Sequence, residues 1–142
     1  MRKISFLILS LVVLPLFAGP SPGEEAFTPS WGNPERKSIL EAMREDIQNR
    51  FELEVLFVVR WMKVKDGWCF ALTEPQSKDG SRRYEPYGAL LEEDCGRWTV
   101  RDVMPLEEGC KEEESWFVFL TGKYPGLPQE ILPASGESEE SP

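Results

Sequence analysis

The chain has 142 residues, 25 acidic against 16 basic, and a formal net charge of −9. Such a surface repels phosphate backbones and anionic lipid, so nucleic acid is not an expected partner. Histidine is absent, which removes Ser-His-Asp and Cys-His catalysis and nearly all zinc, copper and haem sites.

At the start, Arg2 and Lys3 precede an apolar run from Ile4 to Phe17, closed by Ala18-Gly19-Pro20. A basic head, a short apolar middle and a small residue at the cut form a secretory signal. The run is shorter than the ~20 residues that span a bilayer, so no stable membrane anchor is expected. Export to the periplasm or outside the cell is expected, with cleavage after Ala18. The cut also discards two of the 16 basic side chains, taking the net charge from −9 to about −11.

Residues 19–32 contain Pro20, Pro22 and Pro29 among polar residues and read as an extended leader that adds nothing to folding. A single domain is expected over residues 33–133, too short a span for two hydrophobic cores. Asn33-Pro34-Glu35 supplies a cap residue, a proline at the first helical position and an acid in the first turn. Ile39, Met43, Ile47 and Phe51 then recur four apart, predicting an amphipathic helix over 34–51 with Arg36, Lys37, Glu41, Glu45 and Asp46 on its solvent side.

From Val55 to Val64 the composition turns β-branched and aromatic, and Asp66-Gly67 marks a tight hairpin. Trp68 to Thr73 is the returning strand, and 74–86 reads as a polar loop. Tyr87 to Glu92 and Arg97 to Met104 form a second hairpin around Asp94-Cys95-Gly96. Simple alternation sets Val55, Phe57, Val59 and Trp61 on one face of the first strand, with Leu56, Val58 and Met62 on the other. A sheet apolar on both faces needs two covers, so the second face meets either the C-terminal segment or a partner. Trp116 to Leu120 is assigned to a short helical segment, and 134–142 to a disordered acidic tail. The fold class is α+β: one N-terminal helix packed on a four-stranded antiparallel meander. That order is analogous to cystatin-like and nuclear-transport-factor-2-like architectures.

The string Glu35-Arg36-Lys37-Ser38-Ile39-Leu40-Glu41-Ala42-Met43-Arg44, followed by Val55-Leu56-Phe57-Val58-Val59 and Gly67-Trp68-Cys69-Phe70, resembles a group of small exported bacterial proteins. Ala89-Leu90-Leu91, Gly96-Arg97-Trp98-Thr99-Val100 and Pro125-Gly126-Leu127-Pro128 continue the resemblance in order. These motifs are structural signatures of a group without an assigned activity, so no catalytic residue transfers. Members usually carry alanine where this chain has Cys69, which makes Cys69 a small core residue.

Three sets of residues are candidates for function. Arg82, Arg83 and Tyr84 lie in the long 74–86 loop, near Tyr87, where two guanidinium groups suit a carboxylate or phosphate; ordinary surface pairing is the plainer reading. Trp61 is either core or an exposed platform for a ligand. Glu107, Glu108, Glu112, Glu113 and Glu114 form a solvated acidic loop or a docking patch for a basic partner, without the alternation of a calcium loop. Of the three cysteines, Cys69 is expected to be buried and reduced, while Cys95 and Cys110 are the preferred disulfide. A Cys69–Cys95 bridge and no bridge at all stay open. No metal and no cofactor is implied. The expected function is an exported, non-catalytic binding or inhibitor-like domain whose partner is a protein or peptide. The alternatives are a small carboxylate-dependent enzyme and a structural or accessory envelope protein.

Overall fold

The computed structural model describes residues 25–105 and 110–134, the side chains of 110–113 excepted. The expected signal segment, Glu107, Glu108 and the tail from residue 135 lie outside the described residues. Helix α1 spans Pro34–Phe51, bounded as the cap predicts: the Asn33 side chain accepts from the Glu35 amide at 2.8 Å. Strands β1 (Leu56–Lys65), β2 (Trp68–Gln76), β3 (Tyr87–Asp94) and β4 (Arg97–Val103) follow, then helix α2 (Cys110–Lys123) and a 3-10 turn at Gln129–Ile131. The four strands form one antiparallel meander in chain order.

Both hairpins close on two residues in the left-handed region. Asp66 and Gly67 have φ of 51° and 76°, and Cys95 and Gly96 repeat the same pair of angles. That backbone twist matches the twist of the strands it joins.

Apolar packing covers both faces of the sheet. On one face Ile39, Met43 and Ile47 of α1 meet Met62, Val64, Cys69, Ala71, Ala89, Leu91 and Trp98. On the other, Trp116 and Leu120 of α2, with Leu127 and Ile131, meet Trp61, Phe70, Leu90 and Met104. The C-terminal segment is therefore the cover that the second apolar face requires. No helix among the described residues is long and apolar enough to cross a membrane.

Four local expectations are corrected. The face assignment of β1 fails past Val59, because the register shifts at Arg60, between the Val59–Thr73 and Trp61–Leu72 pairs. One extra residue inverts the alternation, so Met62 and Val64 join Val59 beneath α1 while Trp61 turns to α2. Phe51 does not pack onto the sheet; it is 56% exposed at the end of α1. Arg36 is buried rather than solvated, donating from Nη1 to the Pro29 carbonyl at 2.9 Å with its guanidinium 4.8 Å from the Trp31 ring centre.

The leader, fourth, takes part in the fold. Phe27 exchanges two backbone hydrogen bonds with Val64 at 3.0 and 2.8 Å, Thr28 donates to the Met62 carbonyl, and Pro29 is fully buried. This short pairing caps the β1 edge at Val64 and Met62. Cys69 is buried with a free thiol, as expected, and burial pushes its pKa up. Cys95 is also a free thiol, exposed in its turn, so the Cys95–Cys110 bridge is not seen. The Cys110 side chain lies outside the described residues.

Candidate functional site

The chain after α1 must reverse into β1 within a few residues, and that reversal opens a cleft. Glu52 caps the helix in the left-handed conformation (φ 54°), its amide donating to the Gln48 carbonyl at 3.0 Å. Phe51 is thereby left outside, while Leu53 and Val55 turn back under the last helical turn. Across from them, the segment between β2 and β3 folds onto the sheet. Asp79 accepts from the Ser77 hydroxyl at 2.6 Å and the Ser81 amide at 3.0 Å, which holds its carboxyl down at about 2. The Tyr84 amide then reaches the Pro75 carbonyl at 2.9 Å, placing Tyr84 against the α1-side core.

Between these two reversals lies a cleft of about 230 Å³. Its buried base is Ile47, Val55, Pro75 and Tyr87, and its sides are Leu53, Tyr84, Pro86, Val103 and Met104. Arg50, Phe51 and Glu85 complete its exposed margin. A closed polar strut braces one wall: the Tyr87 hydroxyl donates to Asp46 Oδ2 at 2.6 Å, and Arg50 Nε meets the same oxygen at 2.8 Å. Burial first, and then Asp46, raise the Tyr87 pKa, so the phenol stays a donor across the ordinary pH range. Asp46 likewise raises Arg50 through their hydrogen bond. Every member of the strut is committed to another, which suits a rigid wall rather than proton transfer.

A second hollow is of a different kind. A larger, open groove of about 660 Å³ runs beside β1 past Trp61, Lys63, Phe117, Val118 and Leu132. Its tryptophan is already occupied: Trp61 is buried, Nε1 donates to the Ile131 carbonyl at 2.8 Å, and the Lys63 ammonium sits 4.8 Å from the ring centre. Lys65 and Glu130 pair at 3.0 Å nearby. That groove is the seam where the chain's last turn is fastened to β1. Among the described residues no group of three or more His, Cys, Asp or Glu side chains is placed to hold a metal ion.

The four residues singled out in the sequence are not brought together. Tyr84 reaches the cleft, whereas Trp61 lies on the opposite face of the sheet. Arg82 and Arg83 are exposed, and Arg83 pairs through its backbone with Gln76. The Arg60 hydrogen bond first, with Arg83 adding its charge, holds the Glu74 carboxyl below its ordinary range. Of the acidic run only Glu114 has a described side chain, and it is exposed. Asp46, which the sequence sets on the solvent side of α1, turns instead to the Tyr87 hydroxyl, and neither Arg50 nor Leu53 carries a sequence signal of its own. Comparison with protein-family profiles, with characterised proteins and with solved structures found no match.

Proposed function

We propose that this is an exported, non-catalytic binding domain whose contact surface is the cleft between the end of α1 and the 84–87 segment. The observation that carries the reading is the pairing of an apolar recess with an exposed aromatic at its lip. Exposed apolar surface of this kind is costly unless something covers it. At about 230 Å³ the recess is below the ~300–1,000 Å³ of sites for drug-sized molecules. One large apolar side chain or a short apolar group fits it better.

The reading of export draws on the Arg2-Lys3 head, the apolar run to Phe17 and the small residue Ala18. The resemblance to small exported bacterial proteins points the same way. An enzyme would want a titratable pair facing the recess; here Asp46 is locked to Tyr87 and Arg50, and Glu85 stands alone at the margin.

Titration of the isotope-labelled protein with N-acetyl-phenylalanine amide tests the proposal. Amide signals of Leu53, Val55, Tyr84 and Tyr87 should shift together at millimolar probe, and those of Trp61 and Val118 should not. Shifts confined to the β1 groove, or none at all, would overturn it.

A further inference from the structure

We infer that this chain self-associates: the first half of β1 pairs antiparallel with the same strand of a second copy, centred on Phe57, and joins two sheets into one. The inference does not depend on the cleft.

β1 is an edge strand, and its two halves differ. The leader closes the later half through Phe27 on Val64 and Thr28 on Met62. Among the described residues nothing pairs with the outer side of Leu56 to Val59. Backbone groups point to that side. Phe57 lies opposite Pro75, which has no amide to offer, and the Pro75 carbonyl turns to the far side of β2, where it accepts from the Tyr84 amide at 2.9 Å. The Phe57 N–H and C=O therefore face away from β2, and alternation gives Val55 and Val59 the same direction. Edges are ordinarily guarded by charge. β4, at the other side of the sheet, follows that rule with Arg97, Arg101 and Asp102, whereas Val55 to Val59 holds no charged residue. Leu56 and Val58 are moreover 41% and 37% exposed and belong to neither core.

The strand's own symmetry identifies what covers it. Two copies laid antiparallel about Phe57 set Phe57 against Phe57, Val55 against Val59, Leu56 against Val58 and Glu54 against Arg60. The first two kinds of pair use the outward backbone groups, so they are the hydrogen-bonded ones. Leu56 and Val58 meet twice on the face away from α1, where side chains directly opposite lie ~4.5–5.5 Å apart. Each exposed apolar side chain of the edge thus gains an apolar neighbour. The charges agree with the same register. Glu54 meets Lys78 at 2.8 Å, and Arg60 meets Glu74 at 2.8 Å on the face that Val58 shares. Pairing of two copies joins these into one row of alternating sign, Lys78–Glu54 of one protomer continuing into Arg60–Glu74 of its partner. The row ends at Arg60, short of the Met62 and Val64 positions that the leader holds. An interface of this kind is closed by its two-fold symmetry and stops at a dimer.

Sedimentation velocity of the protein as it accumulates in its host, from micromolar to millimolar concentration, should show a monomer giving way to a species of twice its mass. Leu56→Lys and Val58→Lys, each at an exposed position, should weaken that association at least tenfold while the thermal transition of the dilute protein stays unchanged. Glu54→Arg sets cations opposite one another across the dimer and Arg60→Glu sets anions, so neither variant should associate alone. An equimolar mixture of the two should recover most of the lost association, because each supplies the charge that the other lacks. A chain that stays monomeric throughout overturns the inference. Association that both lysine variants leave intact lies elsewhere on the molecule and overturns it as well. A mixture no tighter than its components overturns the pairing centred on Phe57.

Discussion

Individual side chains in this fold sit where their chemistry is strained as well as where it is served. Cys95 occupies the first central position of a type I′ turn with φ of 51°, a conformation that costs most L-residues about 1–2 kcal/mol. Asparagine tolerates it. Cys95→Asn should therefore stabilise the protein by ~0.5–1 kcal/mol, read as a rise of a few degrees in melting temperature. No loss of a bridge offsets this, because the Cys95 thiol is free and a hydrogen bond to Asp94 leads the effects that hold it protonated. A fall in stability would show that the thiol is engaged elsewhere. Glu35 makes the opposite point about position. It lies in the favourable first turn of α1, yet burial first, and the charge of Glu93 second, raise its pKa. The unfolded chain releases this proton at lower pH than the folded one. Between the two pKa values the folded state holds the extra proton, so stability grows as pH falls through that window. At neutral pH the full cost is present. Glu35→Gln should thus raise the melting temperature at pH 7, and the gain should vanish near pH 3, where both side chains are neutral. A gain that persisted unchanged at pH 3 would mean that ionisation is not its source.

At the scale of elements, what could be read in the chain was whatever local chemistry fixes. The Asn33-Pro34-Glu35 cap defined the start of α1, and Asp66-Gly67 defined the first hairpin, because each acts within a few residues. Strand ends were less legible: β2 runs to Gln76 rather than stopping at Thr73, since its continuation is set by pairing with Leu56 and Phe57. The bulge at Arg60 left no sequence signal at all. It is a property of how β1 registers against β2, and it decides that Trp61 faces α2 while Met62 faces α1. The docking of Phe27 on Val64 is illegible in the sequence for a related reason. Its two hydrogen bonds are made by backbone groups, which composition does not encode. Gly88 also acquires its meaning only in space. A Cβ there would lie 3.1 Å from the Met104 Cβ, where the chain leaving β4 crosses β3 and the Met104 amide bonds the Gly88 carbonyl at 2.8 Å. The cleft was illegible for the same cause, since α1, the 53–55 connection, β2, the 84–87 segment and the end of β4 all contribute to it.

Over the whole molecule, one sheet serves two cores, and this explains why the meander is apolar on both sides. Helix α1 alone covers one face, as the four-residue spacing of Ile39, Met43 and Ile47 allows. The other face depends on a segment that comes after the sheet is complete. Trp116, Leu120, Leu127 and Ile131 are all at most 7% exposed, packed on Trp61, Phe70 and Leu90. Burial of a large apolar side chain contributes about 1.5–3 kcal/mol, so four of them supply roughly 6–12 kcal/mol. That is comparable with the ~5–15 kcal/mol by which a domain is stable at all. Trp61 adds directionality, because its Nε1–H bond to the Ile131 carbonyl ties the last turn to β1. A chain ending at Pro105 should consequently lose its cooperative thermal transition, bind a dye that reports exposed apolar surface, and elute as soluble oligomers or precipitate. Helical signal from α1 can survive that loss, so far-ultraviolet dichroism alone does not decide the matter. The deciding measurement is the transition itself, followed through the near-ultraviolet signal of the four tryptophans that such a chain retains. A truncated monomer that melted cooperatively near the temperature of the intact protein would show that the α1 face is a sufficient core. The second layer would then be an accessory placed over the sheet rather than part of what folds it.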